Sequence, residues 1–203
     1  MTLRLILPVR PPREGKQRLA PVLGPEERHA LNRAFFERTL AIASSVLPPA
    51  AIIVVSRAPE VLALAEARGV QPLLEQGDAG LNAALDQAAA LLGKSDAALS
   101  LSIDLPLLDP TDLAAMISAS ADIILAPDRA GTGTNALCVA PVGAIPYCYG
   151  PGSAAAHREA ATGLRFAVID RPGLACDIDT PDDLAAHSEA IAALLEQGRS
   201  LVA

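Results

Sequence analysis

Three aspartates in this chain have no local duty that explains them: Asp104, Asp177 and Asp179. Asp104 closes the apolar run Leu99-Ser-Leu-Ser-Ile103 and is followed by Leu105-Pro106. That pattern predicts a buried strand that stops at a rim and presents one carboxylate. In an open α/β sheet, ligands bind beyond the carboxyl ends of the strands. Asp177 and Asp179 are two residues apart, so in extended chain their side chains point to one side. Like charges on one face repel unless a cation lies between them. A hard divalent ion with oxygen ligands meets that need. The pair is equally well read as a solvated loop in which Asp179 makes an Asx turn. Neighbouring acids are accounted for otherwise. Asp109 and Asp112 flank Pro110 at a helix start, and Asp182 and Asp183 follow Thr180-Pro181; both groups read as helix caps.

Two stretches could hold an anion. Arg10, Arg13, Lys16 and Arg18 place four of the sixteen basic residues in nine positions. They suit a triphosphate clamp, or a solvated basic loop. The Gly-x4-Gly-Lys-Ser/Thr spacing of a Walker loop is absent. In Gly150-Pro-Gly-Ser153 the glycines allow close backbone approach, and Ser153 sits where free amides and the helix dipole favour an anion. The plainer alternative is a serine N-cap after a turn. Gly131-Thr-Gly-Thr134 adds hydroxyl donors, or is simply a tight turn. His29 reads as solvated and His157 and His187 as helix-surface residues, with His157 within one turn of Ser153.

These groups need elements to position them. Leu3–Val9 reads as a first strand, nearly continuous in apolar residues, as a strand covered on both faces should be. Gly24-Pro-Glu-Glu27 opens a helix with proline in its first turn and acids at the dipole's positive end. Leu31, Phe35, Ile42 and Val46 line one face of it, and Pro48-Pro49 ends it. Strands are expected at 51–55, weakly at 70–74, up to Asp104, at 122–126, 135–139 and 165–169. Helices are expected at 59–68, 81–92, 109–119, 153–161 and, as one amphipathic segment, from about 181 to 196. Gly77-Asp-Ala-Gly80 is read as a loop. Short alternation of strand and helix predicts a doubly wound, mostly parallel (mixed) α/β sheet of Rossmann-like type.

Composition narrows the classes. The 203 residues suit one domain, 1–203, with a sizeable core. Half the chain is hydrophobic, yet it holds three phenylalanines, two tyrosines and no tryptophan, so that core must be aliphatic. A formal charge of −7 argues against nucleic acid or an acidic membrane as partner. Cys138, Cys148 and Cys176 are odd in number and lack ligand spacing; they read as small buried hydrophobes in a reducing compartment. No apolar run reaches the ~20 residues of a membrane span, and the N-terminus lacks a signal-peptide core. The expectation is a cytoplasmic protein, with a homodimer left open.

Seven segments carry a resemblance when taken in order: Pro8-Val-Arg10, Lys16-Gln-Arg-Leu-Ala-Pro21, Leu81-Asn82, Asp104-Leu-Pro106, Asp128-Arg-Ala-Gly-Thr-Gly-Thr134, Tyr149-Gly-Pro-Gly-Ser153 with His157, and Asp177-Ile-Asp-Thr-Pro181. Nearly the whole chain resembles the CofC-type guanylyltransferases, which act on 2-phospho-L-lactate or phosphoenolpyruvate in coenzyme F-420 biosynthesis. The resemblance implies a nucleotide-diphospho-sugar transferase-like fold, GTP as co-substrate, Mg²⁺ as cofactor, and a small phosphorylated carboxylic acid as acceptor. It implies metal ligation by Asp104 and Asp177, with Asp179 as a third. Arg10, Lys16 and Arg18 would hold the triphosphate, with Asn82 at the base or ribose. Thr134, Gly150 and Ser153 would bind the acceptor. Asp104, Asp177, Lys16 and Arg10 are thus the expected catalytic set. Arg10 stands where the family often has lysine, which exchanges a point charge for a planar fork. Guanine rather than another base, and the choice among phosphoenolpyruvate, 2-phospho-L-lactate and 3-phosphoglycerate, rest on the resemblance. Two rivals remain: a molybdenum-cofactor-type nucleotidyltransferase, whose glycine-rich first loop is missing here, and a non-catalytic nucleotide-binding module of the same fold.

Overall fold

In the computed structural model, which describes residues 2–77 and 80–200, the apolar segments of the chain align as one sheet. Asp78 and Ala79 of the expected loop lie outside the described residues. The strands are β1 (Leu3–Pro8), β2 (Ile52–Ser56), β3 (Gln71–Leu74), β4 (Ala97–Leu101), β5 (Ile123–Pro127), β6 (Thr134–Val139) and β7 (Phe166–Val168). Their order is β3-β2-β1-β4-β6-β5-β7. All neighbours are parallel except β6, which runs antiparallel to both β4 and β5. The expected doubly wound, mostly parallel mixed sheet is what forms.

The helices are α1 (Pro25–Val46), α2 (Pro59–Ala67), α3 (Leu81–Ala89), α4 (Pro110–Ser118), α5 (Ser153–Ala160), α6 (Pro172–Ala175), α7 (Pro181–Ala186) and α8 (Ser188–Ser200). They cover both faces, as the side-chain alternation along the strands requires. Leu5 and Leu7 of β1 pack with Phe36 and Leu40 of α1 and Leu113 of α4, while Ile6 between them packs with Ala84 and Leu85 of α3. Every residue of β2, β4 and β6 is buried, which is why they read as unbroken apolar runs.

Local rules explain most boundaries and two departures. Asp109 caps α4, accepting from the Thr111 N–H at 2.7 Å, while Asp112 reaches back to the Asp109 N–H. Thr180 and Asp183 form the same reciprocal box on α7; Asp182 takes no part in it. The expected single C-terminal helix is two, because the chain leaves helical geometry at His187. Its second half, α8, lays Ile191 and Leu194 on Leu31 and Phe35 of α1. The α6 turn has no counterpart among the expected helices, because four residues are too few to show a period.

α6 has no room to spare. A methyl on Gly173 would meet Asp112 Oδ2 at 1.8 Å and the Leu107 carbonyl at 2.8 Å. Asp112 is buried and ion-paired to Arg171, so it cannot swing away without losing that partner. Gly173→Ala is expected to cost about 1–3 kcal/mol through overpacking, read as a lower urea midpoint at unchanged slope.

Candidate active site

A cleft of about 400 Å³ opens at the carboxyl ends of β1 to β4. That volume is in the range of small-molecule sites. Arg10, Lys16, Asp104 and Asp179 line it, from the loop after β1, the loop after β4 and the segment before α7.

Asp104 lies three residues beyond the end of β4, further out than the expected strand-end position. Its place is fixed through backbone rather than through its own side chain. The Thr39 hydroxyl of α1 donates to the Ile103 carbonyl at 2.9 Å. The Arg38 guanidinium donates to the carbonyls of Leu105 and Leu108. The Ile178 N–H donates to the Asp104 carbonyl at 3.2 Å. This last bond ties together segments more than seventy residues apart. Ile178 itself is fully buried against Leu19, Leu31 and Phe35; of its two neighbours, Asp179 lines the cleft and Asp177 does not.

The Lys16 ammonium sits between Asp104 and Asp179, bonding both, the latter at 3.1 Å. Its side chain is only 8% exposed. Burial opposes its charge, but the two carboxylates outweigh burial and raise its pKa above the ordinary lysine value. Among the described residues, Lys16 is also the one non-glycine residue with a positive φ, at 55°. Such geometry costs of order 1 kcal/mol and is held where surroundings dictate it. Here the ion pairs dictate it, and Gly15 beside it packs on Asn32, whose amide donates to the Pro12 carbonyl at 2.8 Å. Arg18 is largely exposed, 3.7 Å from Asp179. Arg10 is exposed at the lip and takes no ion-pair partner among the described residues.

Asp177 is held from the other side. Asn135 of β6 donates to its Oδ1 at 3.3 Å and to the Leu174 carbonyl at 2.9 Å. Burial and the nearby Asp104 charge raise the Asp177 pKa. Among the described residues, no group of three or more His, Cys, Asp or Glu side chains is drawn together tightly enough to hold a metal ion in this arrangement.

Beside Asn135, Thr134 begins a second cluster. The Ser153 hydroxyl donates to Thr134 Oγ1 at 3.0 Å. His157 Nδ1 stands 3.1 Å from the same oxygen, and its Nε2 accepts from the Cys148 N–H at 2.9 Å. An accepting Nε2 fixes the neutral tautomer with its proton on Nδ1, donated to Thr134. His157 is fully buried, not on the helix surface as expected; the face of α5 it occupies turns inward over the sheet. Burial lowers its pKa to about 4. Ser153 is not the N-cap of α5 but its first helical residue, after Gly152 in left-handed conformation at φ 73°. Gly150 has φ 138°, a value that favours glycine. Asn82 spends both ends of its amide on the Tyr149 backbone, at 2.8 and 3.1 Å, so it anchors this loop and does not line the cleft. The Tyr149 hydroxyl bonds the Ser100 hydroxyl at 2.6 Å. Cys148 and Cys176 are half-buried; Cys138 alone is buried as expected.

Sequence reasoning thus missed Asn135, Arg38 and Thr39, and misplaced His157. A lone polar residue in an apolar strand is the one signal that pointed to Asn135.

A nucleotide-sized cleft at the carboxyl ends of parallel strands, acids and cations at one end, is the layout of a nucleotidyltransferase. A solved structure from Desulfovibrio desulfuricans G20, provisionally assigned as a nucleotide-diphospho-sugar transferase, shares the fold at TM-score 0.70 and 17% identity, over 100% of this chain and 97% of that one. The chain belongs to the CofC-like guanylyl transferase family, whose model matches residues 3–189. It is 39% identical over 193 residues to the phosphoenolpyruvate guanylyltransferase of Rubrobacter xylanophilus, covering 91% of this chain and 93% of the relative. It is 33% identical over 190 residues to the 3-phospho-D-glycerate guanylyltransferase of Colwellia psychrerythraea, covering 91% and 90%. No helix among the described residues is long and apolar enough to cross a membrane.

Proposed function

We propose that the protein transfers GMP from GTP to the phosphate of a three-carbon phospho-acid, phosphoenolpyruvate in first place, releasing diphosphate. The observation that carries this is the likeness to the Rubrobacter relative across nine-tenths of the chain, with Asp104, Lys16 and Asp179 meeting in one cleft. A place in coenzyme F-420 biosynthesis belongs to the same reading.

The acceptor phosphate forms a bond to the α-phosphorus, and the bond from that phosphorus to the bridging oxygen breaks. The acceptor is largely dianionic at neutral pH, because its second pKa is ~6, so no general base is needed. In support, His157 of the second cluster already uses both ring nitrogens within the protein. The real obstacle is gathering anions. Lys16, Arg10 and Arg18 would draw the triphosphate in, Lys16 exchanging carboxylate partners for phosphate. Thr134, the Gly150 amide and Ser153 would fix the acceptor, and alignment supplies much of the rate.

The donor set suits Mg²⁺: oxygen only, two acids already sharing a cation, and a third crowded by Asp104. Asp104, Asp177 and Asp179 would hold the ion once Lys16 turns to phosphate, and the ion would neutralise charge on the phosphates. The test is diphosphate release from GTP with phosphoenolpyruvate, 2-phospho-L-lactate and 3-phosphoglycerate, each with and without Mg²⁺. Release is expected with at least one acid, only with the metal; silence with all three ends this reading.

Ser153 gives a narrower check. Ser153→Ala removes one of two donors to Thr134 Oγ1. The acceptor KM is expected to rise about 10-fold while the GTP KM stays within about 2-fold. Equal rises would move Ser153 out of the acceptor site.

A further inference from the structure

The cleft continues past the phosphate end, across the sheet. Arg57 follows β2 and Glu75 follows β3, and both line it together with Val55 and with Leu81 and Ala84 of α3. β3 lies three strands from β4, about 14 Å at the usual spacing. That is the span of a nucleoside laid across strand ends with its phosphates at Asp104.

This end is built, not incidental. The Glu75 N–H donates to the Ser56 carbonyl at 3.0 Å, which pins the residue where β3 stops. Its carboxylate is 11% exposed and lies 3.7 Å from Arg57 Nε. Arg57 is itself held by Glu14 at 2.8 Å. Leu81 keeps 38% of its surface exposed as part of the cleft wall, a flat apolar contact for a planar ring. The Lys16 end of the cleft carries the cations a triphosphate needs. A carboxylate at the other end has no role toward phosphate, and would repel it.

A carboxylate only accepts hydrogen bonds. The pairing edge of guanine offers two adjacent donors, N1–H and the 2-amino group, which one carboxylate takes together. The third group on that edge, the O6 acceptor, suits the neighbouring guanidinium. Adenine would turn a lone pair at N1 toward Glu75, leaving a buried acceptor facing an acceptor. We infer that Glu75 selects guanine, accepting N1–H and the 2-amino group, with Arg57 holding the carboxylate in place. Asn82, bonded on both sides to Tyr149, has no part in it.

The inference rests on the guanylyl reading, and the experiment separates the two. GTP, ITP and ATP are compared as donors and, by calorimetry, as ligands. ITP differs from GTP by the missing 2-amino group alone. The wild-type protein is expected to prefer GTP over ITP by about 10- to 100-fold, the worth of a hydrogen bond to a charged group. In Glu75→Gln the preference falls to near 1, GTP binding weakens by a similar factor, and the acceptor KM does not move. Glu75→Asp, which keeps the acceptor pair one methylene back, retains a reduced preference. A Glu75→Gln protein that still prefers GTP over ITP and ATP as the wild type does overturns the inference and leaves the guanylyl reading standing. A wild-type protein that uses ATP as readily as GTP overturns the guanylyl reading itself.

Discussion

Asp104→Asn is expected to lower turnover by about 10³-fold while the fold survives. The loss follows from the charge. Aiming fixed groups at the charge that moves between phosphates is where such a site gains most, and removing one group of this kind commonly costs 10²–10³. Asparagine keeps the shape and one oxygen but not the charge, so Lys16 loses one of its two carboxylates, and under the proposed function a divalent ion would lose a ligand. Survival of the fold follows from where the anchors are. The Thr39, Arg38 and Ile178 bonds all end on backbone carbonyls of residues 103 to 108, and none uses the Asp104 carboxylate. The thermal midpoint should therefore stay within a few degrees of the wild type, measured beside the diphosphate-release rate. Wild-type turnover in this variant would end its assignment to the site.

The sequence made Asp104 legible by elimination, and the reason is local. Capping boxes obey rules that span three or four residues, so Asp109, Asp112 and Asp183 could be set aside without a fold. What remained, Asp104 with Asp177 and Asp179, had no capping role to explain it. The strand order was not legible in the same way: nothing near β6 announces that it runs antiparallel between β4 and β5. Asn135 illustrates the consequence. It can reach Asp177 because β6 enters the sheet beside β4, and pairing across the sheet is decided by every other strand. The sequence marks Lys16 only as one of a run of basic residues; the structure shows its ion pairs with acids 88 and 163 residues away. Glu75 was passed over because a single acid after a weak strand has no spacing to mark it.

His157 was misread for a related physical reason, and it yields the second large effect. Its helix, α5, is rich in alanine, so polarity alone did not show which face turns inward. The ring takes one hydrogen bond from Cys148 and gives one to Thr134. Thr134 Oγ1 thus accepts from both Ser153 and His157, which leaves its own proton to point away from them; under the proposed function that proton would be offered to the acceptor. His157→Gln can keep a partner for Cys148 but not both bonds. The acceptor KM is expected to rise about 10- to 100-fold, with the GTP KM changed less than about 2-fold. A rise shared equally by both substrates would make the residue merely structural. The pH dependence supplies an independent check. Burial lowers the folded-state pKa to about 4, against ~6.5 in the unfolded chain. The unfolded state therefore takes up the proton first as pH falls. The stability this histidine protects is complete above pH ~6.5 and drains away between there and about 4. Urea midpoints at pH 7 and pH 4.5 should differ more for the wild type than for His157→Gln. A ring that titrates near its ordinary value by NMR would show that the two bonds do not hold it neutral.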